Sequence, residues 1–519
     1  MTVTMMITIP MLLCFFGLMI GVGFYCRKHA TNVEGFVLGG RSVGPWLTAF
    51  AFGTSYFSAV IFVGYAGQFG WNFGLASTWI GLGNAFIGSL LAWTVLGRRT
   101  RVMTQHLSSK TMPDFFEKRY DSKKLKVIAS FIVFIFLIPY TASLYNGLSS
   151  LFNNVFQIEY WVIVVAMSVL TGVYVIFGGY MATAINDFIQ GIIMLAGIIA
   201  VIASVLGQNG GFTAAVEALG VKSGSEYTSM FGPNPIFLFF VVMLTSLGTW
   251  GLPQMVGKFY SIKDEASIKK GTVISTLFAI IVAGGCYFLG GFGRLYTPKM
   301  VNDKILFDSI IPTMMSELPS FIVALVIVLV LSASMSTLSS LVLTSASTIT
   351  LDVVKPSLKK EISEKKSVFI MRLFIVFFIV VSAVIAILKD TIWSNNMFIA
   401  QMMGVSWGAL AGAFLAPFMY GLYWKKTTKA AVLSSFIFGV GLEIVQLCIG
   451  VGLFSVANVP VLSFVFTNSL YSGVFAMLGG LILVPIVSLL TQKTLPDNVE
   501  EKFECYEHTV VTNKKDSLG

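Results

Sequence analysis

The chain has 519 residues, 56% of them hydrophobic and only 11% charged, with a mean hydropathy of +0.84. So little charge over this length excludes a soluble globular protein and points to an all-α polytopic membrane protein. The formal net charge of +10 is no nucleic-acid signature, because the basic residues fall in loops between apolar runs.

Thirteen apolar segments are long enough to span a bilayer. They cover about 5–25, 45–68, 74–97, 127–152, 160–178, 183–207, 234–257, 271–293, 320–350, 368–388, 397–421, 429–454 and 467–491. No small-residue cleavage pattern follows segment 1, which reads as a retained helix rather than a signal peptide. With the N-terminus outside, alternation places 29 of the 34 Lys and Arg on the inner side, Lys258 among them in the loop after segment 7. Lys222, Arg294, Lys299, Lys304 and Lys389 are left outside. The positive-inside rule therefore predicts thirteen spans in the plasma membrane, N-terminus out and C-terminus in. Residues 1–492 read as one transmembrane domain and 493–519 as a cytoplasmic tail too short for an attached catalytic domain.

An odd number of spans leaves segment 1 peripheral and the next ten free to form an inverted repeat, segments 2–6 (about 45–207) against 7–11 (about 234–421). The first member of each unit is unusual. Segment 2 carries AFGTSYFSA (Ala51–Ala59) and segment 7 carries TSLGTWGLPQ (Thr245–Gln254). Gly, hydroxyls and Pro253 at mid-membrane mean either an ordinary kink or a discontinuous helix whose freed backbone groups bind a ligand.

Segment 9 has ten Ser or Thr among the seventeen residues Ser332–Thr348. Each hydroxyl needs a partner in the bilayer. Ala333, Ser336, Thr337, Ser340, Thr344 and Ser347 share one helical stripe. Such a stripe either bonds back to its own helix and packs closely or offers neutral oxygens to a small hard cation. Two carboxylates lie in spans. Asp187 opens segment 6 and is a functional candidate, a helix cap, or both. Glu443, in segment 12, suits a structural or lipid-facing protonated role. No Lys or Arg falls in the central part of segments 2–11, which favours a neutral, zwitterionic or small monoanionic solute. The five Cys lack zinc spacing and the three His fall in loops or the tail. With no paired-carboxylate constellation either, nothing supports an enzyme.

GGRSVGPWLTAFAFGTSYFSA (Gly39–Ala59), TMPDFFEKRY (Thr111–Tyr120), IPYTAS (Ile138–Ser143), FGGYMATAINDFIQG (Phe177–Gly191), GLPQMVGKF (Gly251–Phe259) and ASMSTLSS (Ala333–Ser340) together resemble the sodium–solute symporter family. The likeness is nearest to its bacterial sodium/proline branch and runs over roughly residues 10–450. The resemblance implies a LeuT-like fold and sodium-coupled import of a small organic solute by alternating access. The solute would be an amino acid such as proline, a monocarboxylate or a similar nutrient.

The resemblance also implies site residues. The main sodium site falls on the backbone carbonyls of Thr54, Phe57 and Ala333 and the hydroxyls of Ser336 and Thr337. Some relatives hold a second sodium, and their ligand positions here are Asp187, Ser336, Ser339 and Ser340, so one or two ions are expected. The substrate-binding positions are Tyr56, Ser58, Val60, Tyr140, Thr245, Thr249 and Trp250. Proline transporters of the family carry Asp at position 56, Trp at 60 and 245, and Tyr at 249. This chain departs at all four and keeps Tyr140 and Ser58, which argues against proline. The implied partners are the solute and the bilayer, with no nucleic acid and no obligate protein. A sodium-dependent nutrient sensor or a channel-like permease is the competing reading.

Overall fold

The structure is a computed structural model that describes residues 3–507 other than 157, 302–303, 359–360, 393–398 and 457. The start of expected segment 11 and the tail beyond Glu507 lie outside the described residues. The long helices, in chain order, are α1 (Val3–Cys26), α2 (Pro45–Tyr56), α3 (Val60–His106), α4 (Lys123–Phe156), α5 (Tyr160–Gln208), α6 (Pro235–Gly251) and α7 (Pro253–Ser261). They continue with α8 (Glu265–Leu295), α9 (Ser320–Thr348), α10 (Glu364–Ile392), α11 (Ile399–Tyr423), α12 (Lys429–Gly450) and α13 (Ser469–Leu490). Ten helices among the described residues are long and apolar enough to cross a membrane, or eleven when α6 and α7, bent by 47°, are taken as one broken span.

Two of the helical runs are far longer than a bilayer requires. At 1.5 Å per residue, about 20 residues cross the hydrocarbon core, whereas α3 runs for 47 residues and α5 for 49. Each is interrupted at a glycine of positive φ. Gly74 has φ 61° and ψ −138°, and Gly179 has φ 55° and ψ −147°. L side chains rarely adopt that conformation, and at Gly179 a Cβ would also lie 2.9 Å from the Phe36 carbonyl oxygen. Gly74 opens expected segment 3, and Gly179 falls between expected segments 5 and 6.

The two unusual sequences are helix breaks of nearly the same geometry. α2 ends at Phe57 with φ −78° and ψ 114°, and α6 gives way to α7 at Leu252 with φ −84° and ψ 119°. Extended backbone at these points leaves carbonyls outside the helical ladder. Pro253 begins α7, where its missing N–H costs nothing. Backbone bonds between Val43 and residues Ser261 and Lys263, 3.1 Å each, tie the start of α2 to the end of α7. Arg41 secures the same corner through the carbonyls of Tyr260 (3.2 Å) and Ser109 (2.5 Å).

α9 lies among α1, α4, α5 and α10 and is buried from Val326 to Leu343. Glu443 is not lipid-facing, as one of its two expected roles had it. It is fully buried in the seam of α11, α12 and α13, where its Oε1 accepts the Ser472 hydroxyl at 2.8 Å. Gly408 makes room for it, since a Cβ there would meet that carboxylate oxygen at 2.3 Å.

Candidate functional site

The break after α2 faces the middle of α9. Thr337 Oγ1 lies 3.1 Å from the Ala333 carbonyl oxygen, 3.2 Å from that of Thr54 and 3.4 Å from that of Phe57. Ser336 Oγ lies 3.2 Å from the Thr54 oxygen and 3.1 Å from the Ala333 oxygen. The five oxygens named from the sequence are thus brought into one cluster, and every residue contributing one is buried. Two hydroxyl protons serve five carbonyl approaches, so each hydroxyl can satisfy only one acceptor at a time. A small hard cation suits this arrangement better than hydrogen bonding does, because it draws on all the oxygens at once. The Thr54 hydroxyl takes no part: it donates back to the Phe50 carbonyl at 2.8 Å.

One turn further along α9 the surroundings change. Ser340 Oγ lies 2.8 Å from Ser55 Oγ and accepts a hydrogen bond from Lys258 Nζ at 3.0 Å. The same ammonium is 3.7 Å from Asp187 Oδ2, in an ion pair whose side chains are 4% and 0% exposed, and it sits 5.3 Å from the centre of the Tyr180 ring. Ser339 turns its hydroxyl back to the Ser336 carbonyl at 2.9 Å. This corrects the assignment of Lys258 to an inner loop, for the structure places it in a helix and buries it in the bundle. α7 extends the broken span by a turn past the end expected for segment 7, and that turn carries Lys258 into the bundle. A cavity of about 50 Å³ lined by Lys258, Gln254, Ser340, Thr344 and Ser347 leads from here towards Lys110 and Thr111.

The expected solute positions divide into two groups. Tyr56 and Tyr140 both pack on Trp407 of α11, with ring centres 5.7 and 6.1 Å away. The Tyr140 hydroxyl, the Ser58 hydroxyl and the Trp407 indole N–H are buried side by side, and none makes a well-formed hydrogen bond. Buried polar groups left in that condition call for a partner. Tyr56 hydrogen-bonds Asn84, whose amide oxygen accepts from Ser246 at 3.0 Å. Tyr56, Asn84, Ser89 and Thr249 also line a cavity of about 20 Å³, room for about one water.

The remaining positions are committed elsewhere. Thr245 bonds back to the Val241 carbonyl at 2.8 Å and Thr249 to that of Ser246 at 2.9 Å. The Trp250 indole donates to the Ile87 carbonyl at 3.0 Å. Val60 is buried in the first turn of α3 and offers only apolar surface. Trp407 and Asn84 were missed from the sequence. Asn84, a lone amide in the apolar run GLGNAFIG, was the available signal. Trp407 gave none, because an aromatic in an apolar helix reads as packing.

Uncharged oxygens gathered at a helix break inside a membrane bundle are the equipment of an ion-coupled transporter. The model of the Sodium:solute symporter family matches residues 36–439, and the chain belongs to that family. It is a sodium-coupled symporter of a small solute, a multi-pass cell-membrane protein and not an enzyme. It is 29% identical over 451 residues to the sodium/proline symporter of Staphylococcus aureus strain bovine RF122 / ET3-1, covering 84% of this chain and 85% of the relative. Strain JH9 has a relative with the same figures. The fold is similar to that of a Na+-coupled sialic acid symporter solved in a substrate-bound outward-open state, with a TM-score of 0.77 at 17% identity over 93% of this chain and 97% of that one. A nucleobase-cation-symport-1 family transporter in a closed conformation gives a TM-score of 0.52 at 14% identity, over 91% and 98% of the two chains.

Proposed function

We propose that sodium binds the five oxygens of Thr54, Phe57, Ala333, Ser336 and Thr337 and there couples its own entry to import of a small organic solute held beside Tyr140, Ser58 and Trp407. The convergence of those five buried oxygens on the α2 break carries this reading. Sodium would bridge α2 and α9, hold the helix break in shape and so complete the adjoining solute pocket. Release follows when the inner side opens and sodium leaves towards low concentration and negative potential. One charge crossing about 100 mV supplies roughly 2.3 kcal/mol, about fiftyfold in solute ratio, before any sodium gradient is counted.

The chain would cross the membrane thirteen times with its N-terminus outside. α2 and α3 up to Gly74 count as one broken pass and the rest of α3 as a second, α5 counts as two passes divided at Gly179, and α6 with α7 counts as one. The matching breaks at Phe57 and Leu252 favour an inverted repeat of residues about 45–207 and 234–421, within a transmembrane domain spanning 1–492. Residues 493–519 would form a cytoplasmic tail. No obligate protein partner belongs to this reading.

The solute is an amino acid or another small nutrient with no more than one net negative charge. The sodium/proline relatives support an amino acid. Tyr56, Val60, Thr245 and Thr249 stand against proline itself, and the three uncharged groups of Tyr140, Ser58 and Trp407 favour a polar solute that accepts and donates hydrogen bonds. The cavity beside Tyr56 is too small for such a solute, so its entry requires the packing around the breaks to loosen. A thermal-shift screen of amino acids, monocarboxylates, sugars and vitamins, each with and without sodium, tests the proposal. A solute that stabilises the protein only with sodium supports it. Equal stabilisation by protons in place of sodium overturns the ion assignment.

A further inference from the structure

We infer that Lys258 is the protein's own resident cation at the oxygen set of Asp187 and Ser340, so that the wild-type chain takes no second sodium there. The inference deepens the sodium reading above and rests on it only for the identity of the coupled ion. Its basis is the geometry around the Lys258 ammonium, which hydrogen-bonds Ser340 Oγ at 3.0 Å and pairs with Asp187 Oδ2 at 3.7 Å. Lys258 and Asp187 are both buried. Charge counting gives the reason for exclusion. Asp187 and Lys258 together are neutral. A sodium ion added to the same oxygens would leave one uncompensated positive charge buried in the bundle, beside an ammonium that repels it.

The hydroxyls tell the same story. Ser340 already accepts the Lys258 proton while contacting Ser55 at 2.8 Å, and Ser339 donates to its own helix at 2.9 Å. The Ser340 oxygen is thus committed to the ammonium, whereas the oxygens of Ser336 and Thr337 accept from no cationic donor among the described residues. Tyr180 adds an aromatic face to the ammonium, an environment that suits an organic cation on a fixed tether. Removing the ammonium would leave the Asp187 carboxylate buried beside Ser340 with no counter-charge, the condition under which a mobile cation is drawn in.

The experiment is equilibrium binding of 22Na to the purified full-length protein, comparing wild type with Lys258→Met and Lys258→Arg. The expected result is one more bound ion per chain in Lys258→Met than in wild type, with Lys258→Arg matching wild type. The Hill coefficient for sodium-dependent thermal stabilisation should rise from near one towards two in Lys258→Met. Two ions bound by the wild type, or no gain in Lys258→Met, overturns the inference. Lys258→Gln, whose amide keeps a hydrogen bond to Ser340, is read by the same criterion if Lys258→Met cannot be purified folded. The increment between proteins tests the lysine, whereas a wild type that binds no 22Na at all counts against the main sodium site instead.

Discussion

Two oxygen clusters lie a turn apart on α9, and they differ in charge. The cluster at Thr54, Phe57, Ala333, Ser336 and Thr337 contains only neutral groups, with more acceptors than protons to share. The cluster at Ser340 contains a carboxylate and an ammonium that neutralise each other. A neutral cage at depth gains from a cation. A cage already balanced gains little from one, since the carboxylate's attraction for an added cation is offset by the ammonium's repulsion, each roughly 4 kcal/mol for unit charges about 4 Å apart at an effective dielectric constant of 20, and the ion's desolvation is left uncompensated. On this account the same residue type, serine on one helix face, would serve an exchangeable ion in one place and a tethered one in the next.

The largest effect should come from breaking the balanced cluster. Asp187→Asn leaves the Lys258 ammonium buried without its partner, which costs about 3–5 kcal/mol of stability. Reversible denaturation in mixed micelles measures it, and a loss below about 1 kcal/mol would mean that the pair contributes nothing. A smaller effect is expected in the solute pocket. Tyr140→Phe removes one neutral hydrogen bond and should weaken sodium-dependent solute binding by roughly 2–10-fold. Titration of the solute found by the thermal-shift screen reads this change, and an unchanged affinity would remove Tyr140 from the pocket. The smallest effect is expected at the neutral cluster's edge. Thr54→Ala keeps the carbonyl and loses only a hydroxyl that bonds back to Phe50, so sodium affinity should stay within about twofold, the loss of one helix-internal hydrogen bond. A tenfold loss would mean that the side chain, not the carbonyl, faces the ion.

The contrast between the clusters also marks where sequence reading stopped. The stripe that holds Ser336 and Thr337 was conspicuous because hydroxyls at helical spacing stand out in an apolar segment, but it was the resemblance to the symporter family that singled out those two and paired them with Thr54 and Phe57. The breaks were legible for a similar reason, since Gly and Pro at mid-membrane disturb the helical pattern at Ala51–Ala59 and Thr245–Gln254. Lys258 was illegible because hydropathy ends a span at the first lysine. Whether that lysine sits in water or folds back onto Asp187 depends on the direction α7 takes after its break, a property of packing rather than of composition. Trp250 and Trp407 show the same limit. Both are tryptophans in apolar helices, yet one donates to Ile87 and the other has its buried N–H beside the Tyr140 and Ser58 hydroxyls without a well-formed bond. Glu443 could be placed in a span from sequence, but its face could not, because Gly408 and Ser472 make room for it and hydrogen-bond it from helices distant in the chain.

The central claim is that the coupled sodium sits on the neutral cluster, and 22Na saturation of the wild type against the Ser336→Ala, Thr337→Ala double variant tests it most directly. Each lost hydroxyl removes a charge-assisted contact of about 1.5–3 kcal/mol, so affinity should fall by at least about a hundredfold while the protein stays folded. Binding in the double variant at wild-type affinity would contradict the account.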